Sequence, residues 1–171
     1  LKKHFVDRTF DQIGITKNNP EYLHNSFWDS QWGAHYLTAI EIFKNRPLIG
    51  SGADTFRFEC KKKEYEKINS IEYKNRCNTH PHNIYLEILS ETGIFSFIIF
   101  VFFNIYILIK LIKNFFHKKK YRHQILINLC SYFILFNPLQ TTGSFFSTWN
   151  GVFYWIILAF TFSTIRKLQH Q

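Results

Sequence analysis

"GIFSFIIFVFFNIYILIKLI", Gly93 to Ile112, decides the fold. Its twenty residues carry one Asn and one Lys. At about 1.5 Å per helical residue the run covers roughly the 30 Å hydrocarbon layer of a bilayer. Lys110, near its end, can carry its ammonium out to the interface. Two shorter apolar runs follow, "ILINLCSYFILFN" (Ile125 to Asn137), stopped by Pro138, and "VFYWIILAFTFSTI" (Val152 to Ile165). Each must take in flanking aromatics or pack tilted in a bundle to cross. Tyr154, Trp149 and Trp155 suit an interface belt, and Cys130 reads as small core filler. The expectation is about three transmembrane helices, 93–112, 124–138 and 151–166.

Charge between these runs orients them. The loop from Lys113 to His123 holds Lys113, Lys118, Lys119, Lys120 and Arg122; Pro138 to Gly151 holds no charge; the tail holds Arg166 and Lys167. Basic, neutral, basic is the alternation of three crossings with the basic sides cytoplasmic. This accounts for much of the net charge of +9 without nucleic acid. Residues 1–92 then form an outward domain with amphipathic helices, and 93–171 the membrane domain. The lysines at 61–63 are compatible with this, because long translocated loops escape the charge rule. The sequence begins at Leu1 and has no Met, so it reads as a piece of a longer protein. The fold class expected is an all-α membrane protein with a largely helical outer loop.

In the outer half, "WGAHYLTAIEIFKNRPLIGSG" (Trp32 to Gly52) predicts a helix with Tyr36, Leu37, Ile40 and Phe43 on one face, stopped at Arg46-Pro47. Gly50 and Gly52 allow a tight turn or close backbone approach. "NTHPHNIYLEILSETG" (Asn78 to Gly93) predicts a second helix, with Thr79 as N-cap, Pro81 in the first turn and Ile84, Tyr85, Ile88 and Leu89 as its apolar face. Asn83, Glu87 and Glu91 fall outside that face. His80 and His82 then sit at a helix N-terminus, where exposed N–H groups favour a phosphate. Asn83 belongs to the same helix start, and Arg57 and Arg76 supply guanidinium groups for phosphate. A histidine there can also take a proton from a sugar hydroxyl. The setting suits a lipid-linked phosphate.

Cys60 and Cys77 lie in the outward segment, where an oxidising compartment permits a disulfide. Two free thiols are the alternative. Zinc held by His80 and His82 with those cysteines is a third reading; the absence of a CxxC pair and the compartment both weigh against it. No nucleophile elbow, phosphate loop or dinucleotide fingerprint is present.

Three segments taken together, "AIEIFKNRPLIGSGADTFRFEC", "CNTHPHNIYLEILSETGIFSFIIF" and "GSFFSTWNGVFYWIILAF", resemble in order and spacing the C-terminal part of the O-antigen ligase and polymerase family. The resemblance implies a multi-pass protein of the bacterial inner membrane whose outer loop is periplasmic. It implies inverting, metal- and cofactor-independent glycosyl transfer. The donor would be an undecaprenyl-diphosphate-linked glycan and the acceptor lipid A-core, or another lipid-linked repeat in a polymerase. A non-catalytic scaffold or transport subunit is the rival from another class. By position, His82 is the family histidine, with His80 before it, and Arg57 is a diphosphate ligand. The family's arginine upstream of the "W…A" helix is missing from "SQWGAHYLTA", where His35 stands in.

Overall fold

The computed structural model describes residues 27–70 and 72–169. Residues 1–26 of the expected outer domain therefore lie outside the described residues. Among those described there are helices and turns and no strand. The helices are α1 (Gln31–Asn45), α2 (Phe56–Glu59), α3 (Ile84–His117), α4 (Arg122–Phe136) and α5 (Thr148–Gln169).

α1 starts where Ser30 accepts the Gly33 N–H at 3.2 Å, a side-chain cap that satisfies one free N–H of the first turn. It ends at Arg46, since Pro47 disfavours helical geometry in the residue before it. Its buried face differs from the expected one. Ala34, His35, Thr38, Ala39 and Ile42 are buried, while Tyr36, Leu37, Ile40 and Phe43 are only partly covered. Small residues let α1 approach α3 closely, which a face of large side chains would prevent.

α3 is 34 residues long, about 50 Å at the helical rise. Its N-cap is Asn83 rather than Thr79, so Pro81 lies before the helix and not in its first turn. The helix breaks at Gly93, where φ is +78°, a region that side chains with a Cβ avoid. A Cβ there would also overlap the Leu48 carbonyl. The break frees the Ile94 N–H to donate to the Pro47 carbonyl at 2.8 Å. Gly50, also at positive φ, lies flat on the Glu91 backbone just before the break. Ser51 and Gly52 donate their N–H groups to the Ser90 and Glu91 carbonyls at 3.0 and 2.8 Å. The Pro47–Gly52 loop is thus bonded backbone to backbone onto the kink.

Two helices, α3 and α5, are long and apolar enough to cross a membrane. α4, in the place of the expected span 124–138, has 15 residues, short of the roughly 20 that a span needs. α3, α4 and α5 pack around Ile107, Leu111, Ile125, Tyr132, Phe136 and Leu158. Inside this bundle Tyr132 donates its hydroxyl to the Asn104 side chain. Two expectations are corrected here. Tyr154 is buried, its hydroxyl bonded to the Gly143 carbonyl, and of the three expected belt aromatics only Trp149 and Trp155 are exposed. Cys130 is exposed and fills no core.

A second, smaller core of Ala39, Ile42, Phe56, Cys60 and Tyr65 lies under α1. Cys60 and Cys77 are joined in a disulfide with Cα atoms 5.3 Å apart.

Candidate functional site

The turn from Asn78 to Asn83 stands at the head of α3. His82 has φ +58°, a left-handed conformation that costs a residue with a Cβ about 1 kcal/mol. The turn lets its carbonyl accept the Thr142 N–H at 2.9 Å, while His80 Nε2 meets the Thr142 carbonyl at 3.0 Å. The uncharged loop before α5 is therefore bonded to both histidines through a single residue, Thr142. His80 is buried, and its Nδ1 lies 2.9 Å from the Thr79 hydroxyl. His82 Nε2 lies 2.9 Å from the Asn78 side-chain nitrogen.

Three imidazoles gather here. The His82 ring is 4.2 Å from that of His80 and 5.2 Å from that of His35, with Trp32 edge-on at 4.6 Å. His35 projects from the buried face of α1, and its Nδ1 has no hydrogen-bond partner among the described residues. Burial is the main cause that pushes all three histidines below their usual value, His35 and His82 to about 4. A charge on a neighbouring imidazole pushes His35 and His82 the same way. The cluster is neutral at pH 7, so a phosphate would find dipoles here rather than cationic histidines.

Arg57 brings the positive charge. It sits on α2, ion-paired with Asp54, and close enough to His80 to lower its pKa. Its Nε is buried with no partner among the described residues, so the guanidinium keeps donor capacity that Asp54 does not use.

Two expected ligands are employed elsewhere. Asn83 Oδ1 accepts the Tyr85 and Leu86 N–H groups at 3.0 and 3.1 Å. Its Nδ2 donates to the Pro138 carbonyl at 2.8 Å. Asn83 itself occupies the place at the helix start that the sequence reading reserved for a phosphate. Arg76 donates to the Cys60 and Tyr73 carbonyls at 3.0 and 3.2 Å and pairs with Glu66. It braces the disulfide loop instead of facing the histidines. The cysteines of the zinc reading are bonded to each other, and among the described residues no group of His, Cys, Asp or Glu is arranged to hold a metal ion.

Glu87 and Glu91 hold the site together, and the sequence reading put both outside the packed face. Each is 1% exposed. Glu91 accepts the Asp54 and Phe56 N–H groups at 2.6 and 2.9 Å, fixing the segment that leads into Arg57. Glu87, one turn earlier, accepts the Ser144 hydroxyl and the Phe145 N–H. One face of α3 thus anchors the Arg57 loop with one carboxylate and the Thr142 loop with another. The available signal was their spacing: two acidic residues one turn apart beside an apolar span, where a charge is retained only with partners.

Residues 24–101 match the family model described as O-antigen ligase. That stretch takes in α1, Arg57, the disulfide, the histidine turn and the start of the apolar run of α3. No curated protein and no solved structure matches the chain. Over residues 24–101, a little under half of the chain, the sequence is similar to the O-antigen ligase family.

Proposed function

We infer that the chain moves a glycan from undecaprenyl diphosphate to lipid A-core at the periplasmic face of the bacterial inner membrane. The observation that carries this reading is the His80–His82 turn at the head of an apolar helix, with Arg57 near enough for its charge to act on His80, inside the family-matched residues. Arg57 faces the donor's diphosphate, where a guanidinium has the geometry to contact two oxygens at once. An acceptor hydroxyl oxygen bonds to the donor's anomeric carbon as the bond from that carbon to the diphosphate oxygen breaks. The electron pair leaves on the diphosphate and the acceptor proton ends in solvent. Arg57 and His82 stabilise the departing charge, and anchoring both lipids supplies orientation. Residues 1–92 form the periplasmic domain and 93–171 the membrane domain, with α4 completing the bundle as a short third helix.

The test is the glycan profile of a strain deleted for the full-length gene. Long glycan stranded on the lipid carrier with bare lipid A-core supports the reading. Core capped with a single repeat reassigns the site to polymerisation. Unchanged pools contradict both and leave a non-catalytic subunit.

A further inference from the structure

The hydrogen bonds of the histidine turn have only one consistent set of proton positions, because two backbone groups anchor it. A backbone N–H can only donate. The Thr79 N–H is 2.7 Å from Asn78 Oδ1, so that atom is the oxygen, and the Asn78 atom 2.9 Å from His82 Nε2 is the NH2 group. An NH2 group can only donate, so His82 Nε2 accepts, and the proton of the neutral ring is on Nδ1. A carbonyl can only accept. The Thr142 carbonyl lies 3.0 Å from His80 Nε2, so that nitrogen carries the proton, and His80 Nδ1 accepts from the Thr79 hydroxyl. Both nitrogens of His80 are spent. His82 keeps Nδ1–H without a protein partner among the described residues, and its lone pair is occupied by Asn78.

We propose that His82 works as a neutral hydrogen-bond donor through Nδ1–H toward the departing diphosphate, and that Asn78 is the positioning residue that sets this tautomer. The assignment rests on the transferase reading above and decides between the two roles a histidine could take there. The acceptor proton needs no protein base in this scheme. Once the new C–O bond has formed, the protonated ether oxygen is strongly acidic and gives its proton to water. The imidazoles of His80 and His35 flank His82, and the charges of Arg57 and Asp54 act on His80. Among the described residues nothing acidic faces the ring to hold a proton on Nε2.

Asn78→Asp reverses the tautomer, because a carboxylate facing Nε2 requires a proton there and also favours the imidazolium. Transfer per molecule is measured with full-length protein in proteoliposomes, using a synthetic undecaprenyl-diphosphate oligosaccharide. At about pH 8 the variant's Nδ1 is bare and turnover falls about tenfold or more. At about pH 5.5 the imidazolium regains Nδ1–H, and turnover recovers to within about threefold of the parent. A variant as active as the parent at the higher pH overturns the proposal, because a bare Nδ1 would then be serving as a base or have no role. Should Asn78→Asp abolish transfer at both pH values, 15N NMR of the histidine-labelled parent decides. A protonated Nδ1 and bare Nε2 at His82 uphold the assignment, and the reverse overturns it. An active His82→Ala overturns the proposal as well, whereas the transferase reading fails separately, if the parent itself gives no glycosylated acceptor.

Discussion

Glu91 accepts the Phe56 N–H at 2.9 Å with one carboxylate oxygen and the Asp54 N–H at 2.6 Å with the other. This is the link between the long apolar helix α3 and Arg57. Both partners are backbone donors, so an amide at position 91 can satisfy only one. Glu91→Gln therefore leaves a buried N–H facing an NH2 group and destabilises the outer loop by about 1–3 kcal/mol. Glu87 differs, because the Ser144 hydroxyl can reverse and accept from an amide. Glu87→Gln costs less than about 1 kcal/mol. Thermal unfolding of the two variants side by side in detergent checks the order; equal losses contradict it.

Gly93→Ala meets two obstacles. Its φ of +78° strains any residue with a Cβ, and the added methyl enters the Leu48 carbonyl. The strain alone is worth about 1–3 kcal/mol. The protein should accumulate poorly in membranes, and the surviving fraction should melt earlier. Gly52→Ala is the control. Gly52 is also at positive φ, but the nearest atom is a Thr55 side-chain methyl rather than backbone, so its loss should be smaller.

Reducing the Cys60–Cys77 bridge, which closes a 17-residue separation, removes about 3 kcal/mol of loop-closure stabilisation. The unfolding midpoint of the protein should fall on adding reductant. In the Cys60→Ser, Cys77→Ser double variant, reductant should have no further effect. An unchanged midpoint in the parent contradicts the bridge's role.

Acidification should loosen the histidine cluster. His35 and His82 titrate at about 4 in the folded protein and near 6.5 when exposed. Between those values the unfolded chain binds more protons, so stability rises with pH. The contribution is complete above about pH 6.5 and is lost as pH falls toward 4. A midpoint measured across that window should drop on the acid side, and less steeply in His35→Asn. A midpoint that rises on acidification contradicts the assignment.

The long apolar helix α3 was legible because its unbroken apolar run specifies it, and Pro47 was visible as the stop of α1. Other features depend on contacts between distant segments. Thr79 and Asn83 are both good caps by type. The Pro138 carbonyl, which takes the Asn83 amide, belongs to a loop with no periodic signal. Glu87 and Glu91 look like surface residues on a helical wheel, because the backbone N–H and hydroxyl groups that satisfy them belong to distant loops with no periodic pattern. The buried face of α1 is small rather than strongly apolar, so hydrophobic periodicity pointed to its other side. Asn78 stood out in no pattern; its role follows from the direction of single hydrogen bonds.

The central claim is glycan transfer at the His82 turn. It is tested most directly by purified full-length protein in proteoliposomes, supplied with undecaprenyl-diphosphate oligosaccharide and lipid A-core acceptor. The account predicts glycosylated acceptor and released undecaprenyl diphosphate from the parent protein. It predicts about a hundredfold or greater loss in His82→Ala at equal membrane abundance. Equal turnover by parent and variant, or no product from the parent, would contradict it.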